Sequence, residues 1–259
     1  MPEIYPIKTL INNYQGKIYR LALSICRNEK DAEDILQNTL IKMVGKLSTF
    51  KSRSNISTWI YRIAYNESLM FLRKKRRLYN SSNAYRDYSN RLPGLSMNWS
   101  SLPDQELLDK ELKMRIELEL KGLPLKFRMP LLLHRVEGFS LAETSKVLGL
   151  AQSTVKTRLH RSYLMVKDRI SGYFADLPAK EMEKSKICSI WTGFLFDYSN
   201  KKLGPSKKGS FDRHIKDCPG CKKFLNAYQQ AIRITGSLEC PDIPPELKNK
   251  LRNFFLEKS

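Results

Sequence analysis

The sequence predicts an all-α protein. Apolar residues recur at helical spacing along most of the 259 residues, and almost no stretch alternates in the manner of a half-buried strand. Hydrophobic residues make up 41% of the chain, which is enough to build packed cores. Two stretches without periodicity, residues 80–104 and 172–185, are predicted linkers. They divide the chain into three predicted modules, residues 8–79, 105–171 and 186–259.

The charge of the chain favours a polyanionic partner. Lysine and arginine outnumber aspartate and glutamate 46 to 26, for a formal net charge of +20, and the surplus is spread over all three modules. Each phosphate neutralised by such a surface releases condensed counterions, so nucleic acid is the expected partner. Net charge alone also fits a basic protein that binds no nucleic acid, and the motifs must therefore decide.

The sequence contains no sign of export or membrane insertion. No apolar run approaches the roughly 20 residues of a membrane-spanning helix, and residues 1–10 lack the pattern of a secretory signal. We therefore expect a cytoplasmic protein without membrane contact. The five cysteines are an odd number, which argues against a disulfide framework. Three of them fall between residues 218 and 240, and this clustering favours metal or redox chemistry.

A first helix is predicted in the first module, with Asp31 as its N-cap. Its apolar side chains fall on one face, which we expect to be buried: Ala32, Ile35, Leu36, Leu40, Met43 and Leu47. The opposite face presents Asp34, Gln37 and Asn38. These polar residues are available for a partner.

The next predicted helix, from Ser57 to about Arg77, interleaves aromatic and basic residues. Trp59, Tyr61 and Tyr65 lie in its first half, and residues 73–77 read RKKRR. Any one of these rings is more simply a core residue. In combination, a basic helix that carries aromatic side chains can hold phosphates while it stacks unpaired bases.

The second module predicts a helix-turn-helix. Ser140 and Glu143 form a capping box, Gly149 supplies the turn, and the second helix turns Val155, Leu159 and Val166 inward. Its outward face carries side chains able to reach bases and phosphates: Gln152, Ser153, Lys156, Thr157, Arg158, His160 and Arg161. Helix pairs around a glycine also occur in proteins that never touch DNA. The basic second helix favours DNA.

The third module predicts a zinc site. In the H-x-x-x-C-x-x-C sequence, His214 and Cys218 are one helical turn apart, and Pro-Gly lets the chain bring Cys221 to the same centre. Cys188 completes a tetrahedral set, and Cys240 is the alternative fourth ligand. Three thiolates and one imidazole favour Zn²⁺, and four protein ligands leave no open position for substrate. Of the other two histidines, His134 is expected to pack between helices and His160 is expected to face DNA.

The last segment of the chain predicts an amphipathic helix that needs a partner. Pro245 stands near its first position, and Leu247, Leu251, Phe254 and Phe255 share one face. We expect this helix to dock on residues 12–78 or 105–170, since tethering gives a high effective concentration. The alternative is that it packs only on its own zinc module.

These motifs together resemble a known family. The first two modules resemble a bacterial σ factor of the extracytoplasmic-function (ECF) group. Residues 31–40 (DAEDILQNTL) look like its polymerase-binding helix, residues 57–66 (STWIYRIAYN) like its promoter-melting and minus-10 helix, and residues 123–161 like its minus-35 domain. The C…H-x-x-x-C-x-x-C pattern of the third module is similar to a zinc-binding anti-σ domain.

The resemblance implies a transcription initiation factor, not an enzyme, that brings RNA polymerase core to promoters. Polymerase contacts, to the β′ clamp region, are implied for Asp31, Asp34, Gln37 and Asn38. DNA contacts are implied for Trp59, Arg62, Tyr65, Asn66, Arg73, Lys74, Arg76, Arg77, Gln152, Ser153, Thr154, Lys156, Thr157, Arg158, His160 and Arg161. The cysteine-rich module is expected to contact the σ domains within the same chain and to regulate them in response to redox state or metal, with inhibition and activation both open.

Three residues depart from the usual pattern of the family that the chain resembles. Asn38 replaces a usual acidic residue, Ala151 a usual serine, and Thr144 an apolar core residue.

A metal-dependent helix-turn-helix repressor would explain the second and third modules but not the first. A zinc deaminase does not fit, because no H-x-E occurs at any of the three histidines.

Overall fold

The computed structural model describes residues 6–50, 55–80, 122–170, 190–236 and 243–256. All regular elements in these ranges are helical, which confirms the predicted fold class. The chain forms two compact units, described separately below. Residues 81–104 and 172–185 of the predicted linkers, together with Cys188 and Cys240, lie outside the described residues, whereas Asn80 is the last residue of a helix.

The first unit is built on three helices that pack on one another. They are α1 (Ile7–Cys26), α2 (Glu29–Lys46) and α3 (Ile56–Asn80). The predicted cap of α2 is wrong: Asn28 is the N-cap, and its side chain accepts a hydrogen bond from the Asp31 amide at 3.0 Å. Asp31 lies in the first turn instead, where its charge complements the helix dipole.

The predicted stripe of α2 forms part of the core of this unit. Ala32, Ile35, Leu36, Leu40 and Met43 are buried, as expected, whereas Leu47 falls in a short 3₁₀ turn and is only half-buried. Across the α2–α3 contact, Lys42 Nζ lies 2.7 Å from Glu67 Oε1. Helix α3 begins one residue before the predicted Ser57 and runs past Arg77.

A segment from the end of the chain belongs to the same unit. In our numbering it is helix α10 (Pro245–Leu256), which packs against α1. Pro245 is its first residue, as predicted, and Ile243, Leu247 and Leu251 are buried. The side chains of Phe254 and Phe255 lie outside the described set.

The second unit combines the helix-turn-helix region with the cysteine-rich segment. Its helices are α4 (Leu125–Leu131), a π-helical turn (Leu132–Val136), α5 (Leu141–Leu148), α6 (Gln152–Ile170), α7 (Leu195–Ser199), α8 (Pro205–Asp217) and α9 (Pro219–Gly236). Residues 145–149, at the end of α5, group with the first unit instead.

The predicted capping box opens α5. The Ser140 amide donates to Glu143 Oε2 at 3.0 Å, and the Glu143 amide donates to Ser140 Oγ at 3.2 Å. Gly149 follows α5 with a φ of +66°, a conformation that glycine adopts without the steric cost of a Cβ. Thr144 is fully buried, and its hydroxyl donates to the Ser140 carbonyl at 2.8 Å. Its polar atom is therefore satisfied inside the core.

One hydrophobic cluster runs through the second unit. Helix α6 contributes Val155, Leu159 and Val166, which were predicted to face inward, and also Tyr163. The cysteine-rich segment contributes Leu195, Phe196, Phe211, Leu225, Tyr228 and Ala231. Helix α9 packs directly on α6. The two predicted modules therefore share a core here. None of the described helices is long and apolar enough to cross a membrane.

Candidate nucleic-acid interface and metal site

One face of α3 carries the predicted mixture of aromatic and polar groups. Trp59, Arg62, Tyr65 and Asn66 follow helical spacing, so they line one side of the helix. Arg62 and Asn66 are exposed, and the two rings are half-buried. Trp59 is held by Phe50, with ring centroids 5.2 Å apart. This face presents the Trp59 ring, packed on Phe50, beside the Arg62 cation and the Asn66 amide.

The basic end of α3 lines an open groove of about 1050 Å³ against α2. Arg73, Lys74, Arg76 and Arg77 are exposed. Lys75 is half-buried: its ammonium pairs with the Asp31 carboxylate and lies 5.9 Å from the centre of the Phe71 ring. The four exposed cations lie at the protein surface, where the predicted phosphate contacts require them.

The predicted polymerase-binding residues lie on α2. Asp34, Gln37 and Asn38 are exposed, as expected, and Asp34 and Asn38 also line the groove beside the basic end of α3. Asp31 is half-buried and engaged by Lys75. Three of the four residues thus present their side chains to solvent, and the fourth joins α2 to α3.

The predicted DNA-reading face of α6 is only partly open. Exposed and half-buried side chains alternate on it: Gln152, Ser153, Thr157 and Arg161 are exposed, and Thr154, Lys156, Arg158 and His160 are half-buried. Lys156 Nζ lies 2.5 Å from Asp197 Oδ2 of α7. His160 Nδ1 is in hydrogen-bond contact with the Tyr228 hydroxyl of α9 at 3.0 Å. Two predicted DNA contacts are therefore occupied by the carboxyl-terminal segment.

Apolar and aromatic contacts surround these two polar ones. The Tyr163 and Tyr228 rings meet edge to face at 5.7 Å, and Lys167 Nζ lies 4.0 Å from the centre of the Phe224 ring. Arg135 donates to the Ile232 carbonyl at 3.0 Å. Edge-to-face pairs and buried cation–π contacts each add to the stability of the α6–α9 contact beyond the area they bury.

Burial at this contact perturbs two titratable groups. It lowers the pKa of His160, and the nearby charges of Arg161 and Lys156 lower it further, against the opposing effect of Asp197. It also raises the pKa of Tyr228. The contact therefore favours a neutral imidazole and a protonated phenol.

Three of the four predicted metal ligands converge. The ligand atoms of His214, Cys218 and Cys221 all lie within 4.8 Å of one another. His214 is on the last turn of α8, Cys218 follows the helix with its amide donating to the His214 carbonyl, and Cys221 is in the first turn of α9. The fourth, Cys188, lies outside the described residues.

The surroundings of His214 fit a metal. Its ring stacks on Trp191 with centroids 5.4 Å apart, and its Nε2 is buried without a hydrogen-bond partner among the described residues. A buried nitrogen in this state is costly unless it has a partner, and a metal ion is one. An imidazole and two thiols are the donors that Zn²⁺ prefers.

The other histidine and cysteine in the described ranges have local partners. His134 Nδ1 lies 2.6 Å from the Phe139 carbonyl, in agreement with a packing role. The Cys26 thiol donates to the Asn28 carbonyl at 3.3 Å, and burial raises its pKa to about 11. Cys26 is thus a core thiol far from ionisation.

Comparison with known proteins identifies the families of residues 10–78 and 113–165. The sigma-70 region 2 family matches residues 10–78, and the sigma-70 region 4 family matches residues 113–165. The ECF RNA polymerase sigma factor SigW of Bacillus subtilis is 32% identical over 158 residues, which are 59% of this chain and 82% of SigW. The chain belongs to the ECF sigma factors.

Two further comparisons extend this result. The ECF sigma factor SigE of Mycolicibacterium smegmatis is 28% identical over 167 residues, covering 64% of this chain and 62% of SigE. In fold, this sigma factor is similar to the sigma factor RpoE of Bartonella quintana, solved in complex with the anti-sigma factor NepR, with a TM-score of 0.52, 22% identity, and coverage of 63% of this chain and 95% of RpoE.

The matched regions locate the site residues within this sigma factor. Helices α1–α3 belong to region 2, and α6 carries all eight candidate DNA contacts of region 4. Helices α7–α10 follow the last matched residue. Sequence reasoning missed Asp197, which pairs with Lys156, and Tyr228, which is in hydrogen-bond contact with His160. An isolated aspartate and tyrosine outside any motif carry no signal that could have found them.

Proposed function

We propose that this sigma factor directs RNA polymerase core to specific promoters and that its own carboxyl-terminal helices restrain it. The observation that carries the second part is the occupation of Lys156 and His160 by Asp197 and Tyr228. Side chains engaged in this way are not available to promoter DNA. The restraint is inhibitory, and it must open for minus-35 recognition.

Contacts in the first unit support a second point of restraint. Helix α10 buries Leu247 and Leu251 in the unit that contains α1. Fully burying a leucine side chain stabilises by about 1.5–3 kcal/mol. Docking of this size is reversible, so α10 can be displaced when region 2 engages polymerase or the minus-10 element.

In the open state we assign promoter melting to α3. The Trp59 and Tyr65 rings provide stacking surfaces for unpaired bases, and the exposed cations at the end of α3 hold phosphates. Asp34, Gln37 and Asn38 on α2 face the β′ clamp region of the polymerase. These assignments rest on the exposure of the polar and basic side chains, on the partial exposure of the two rings, and on the region 2 match.

We further propose that His214, Cys218 and Cys221 hold Zn²⁺ together with Cys188. When bound, zinc supplies a structural crosslink between the end of α8 and the start of α9. Cys221, Leu225 and Tyr228 lie on one face of α9, three to four residues apart, so the position of the thiolate bears on the position of the Tyr228 hydroxyl. Oxidation of these thiols or exchange of the metal is the proposed signal that loosens α9 from α6.

The alternative of a metal-dependent repressor that works without polymerase is not favoured. Region 2 spans residues 10–78, and such a repressor has no use for it. The two functions also differ in what they require: a sigma factor initiates only with core, whereas a repressor binds its operator alone.

The test is transcription in vitro with bacterial core polymerase on a library of random promoter fragments. Tyr228→Ala removes the ring that meets His160 and Tyr163, and it should raise initiation above the full-length wild type. Tyr228→Phe keeps the ring contacts and should have a smaller effect. Equal initiation by all three proteins would contradict the proposed restraint, and absence of core-dependent initiation from all three would contradict the assignment as an initiation factor.

A further inference from the structure

We propose that the Asp197 carboxylate is a phosphate mimic: it takes the place on Lys156 that a DNA phosphate takes in the open protein, so that duplex DNA itself competes the carboxyl-terminal helices off α6. This inference rests on the proposed function, because it names the ligand with which the restraint competes.

The charge of the docked segment is the first argument. The described residues 190–236 contain nine basic side chains: Lys201, Lys202, Lys207, Lys208, Arg213, Lys216, Lys222, Lys223 and Arg233. They contain three acidic ones, Asp197, Asp212 and Asp217. A segment with this excess of positive charge is repelled by a basic helix such as α6. Docking therefore depends on apolar contacts and on the positions of the three carboxylates.

The position of the carboxylates is the second argument. Asp212 accepts a hydrogen bond from the Tyr198 hydroxyl at 2.7 Å and lies 3.9 Å from Lys208 Nζ, within the segment itself. Asp217 is exposed at the end of α8. Among the described acidic residues of the segment, Asp197 is the one that forms an ion pair with α6. The arrangement places one anionic oxygen against the lysine that is predicted to meet DNA.

Partial coverage of α6 is the third argument. Gln152, Ser153 and Thr157 remain exposed around Lys156 while Asp197 is in place. Incoming DNA can therefore contact the open part of the face before the ion pair breaks. Both partners keep partial exposure, 39% for the lysine side chain and 22% for the aspartate, so the pair is weak and screened by salt. A run of phosphates that releases counterions can replace it.

The experiment measures binding of a short duplex of random sequence to the full-length zinc-loaded protein by fluorescence anisotropy at low salt. Asp197→Asn keeps the shape and removes the charge, and Asp212→Asn makes the same change in net charge at a carboxylate whose hydrogen bond and ion pair lie within the segment. Asp197→Asn should bind about two- to fivefold more tightly than Asp212→Asn, which is the worth of an ion pair of this exposure. In a Lys156→Ala background, the effect of Asp197→Asn should vanish.

A second measurement follows α9 directly. At constant pH, addition of the duplex should speed amide hydrogen exchange in α9 of the wild type, because DNA displaces it. Equal binding by the two aspartate variants, or unchanged exchange in α9 when DNA is bound, would overturn the inference. These failures are distinct from failure of the proposed function, which is judged by initiation from the Tyr228→Ala variant.

Discussion

At the scale of single residues, the three cysteines in the described ranges have different surroundings. Cys26 is buried at the end of α1, its thiol is hydrogen-bonded, and its pKa is raised to about 11. Cys218 and Cys221 instead stand beside a buried imidazole nitrogen that lacks a hydrogen-bond partner among the described residues. A metal site needs several donors close together, and among the described cysteines only Cys218 and Cys221 have an imidazole and a second sulfur within reach.

Zinc content tests this distinction. The wild type is expected to carry about one zinc per chain. Cys221→Ala should lose it, because this change removes a ligand from the first turn of α9. Cys26→Ala is the matched control and should retain the metal. Zinc is measured by elemental analysis of the purified full-length proteins. Retention of zinc by Cys221→Ala would exclude this cysteine from the site.

The pH dependence of docking depends on His160. The pKa of this imidazole is lowered by burial, so the docked state binds fewer protons than the open state. Docking should be at full strength above the ordinary imidazole pKa of about 6.5 and should weaken as pH falls below it. Nuclear magnetic resonance can follow the three imidazoles of the chain individually.

The expected titration has an internal control. His160 should titrate below about 6.5 in the wild type and return towards that value in Tyr228→Ala, where its partner and its cover are gone. His160→Gln assigns the resonance by removing it. A wild-type His160 that titrates at or above the ordinary value would show that the imidazole is not buried against α9 in solution.

At the scale of elements, local signals predicted the helices better than their ends. The capping box at Ser140 and Glu143 is reciprocal and specific, and it placed the start of α5 correctly. At α2, Asn28 and Asp31 are both good caps, and the sequence alone does not tell which of them adopts the extended backbone that capping requires. Asn28 adopts it, with φ of −143°.

The amphipathic pattern of α10 indicated that the helix needs a partner but not which partner. Leu247 and Leu251 are equally able to cover any apolar surface, and the choice of α1 depends on shape complementarity between distant segments. The proposed zinc ligands are the opposite case, because His214, Cys218 and Cys221 are close in sequence and their local spacing brings them together.

Undocking of α10 is the prediction at this scale. Leu251 is 1% exposed, so Leu251→Asp should lose roughly 2–5 kcal/mol of packing and bury an unpaired charge, which releases α10 from α1. Asn253→Asp makes an acidic substitution on the exposed side of the same helix and should change little. Faster hydrogen exchange in α10 and higher initiation with core are expected for the first variant. Release of α10 without any rise in initiation would restrict the restraint to the second unit.

At the scale of the whole molecule, the carboxyl-terminal segment serves both units. Residues 190–236 share a core with the region 4 helices, and residues 243–256 pack with the region 2 helices. The sequence predicted a regulatory module, residues 186–259, that contacts the σ domains of the same chain, and the boundaries of that module stay a prediction. Periodicity identifies which residues are apolar, but it does not show that Tyr163 will meet Phe196 and Tyr228 from another part of the chain.

Removal of the whole segment is therefore a test with two expected effects. A chain that ends at residue 180 loses Asp197 and Tyr228, so Lys156 and His160 become available to DNA and initiation per active molecule should rise. The same truncation uncovers Val155, Leu159 and Tyr163, which are all at most 1% exposed in the full chain. Their exposure creates an apolar patch, so the truncated protein should be less soluble on its own.

Titration of the active fraction with core polymerase separates these two effects in a transcription assay. Initiation is divided by the amount of sigma factor that core captures, and the full-length Tyr228→Ala protein serves as the control that keeps most of the shared core. Both proteins should exceed the wild type, and chelation of zinc should raise wild-type initiation towards them. A truncated chain that core captures normally but that initiates less than the wild type would reverse the sign and make the carboxyl-terminal segment an activator, because the side chains it covers would then be needed in their docked arrangement.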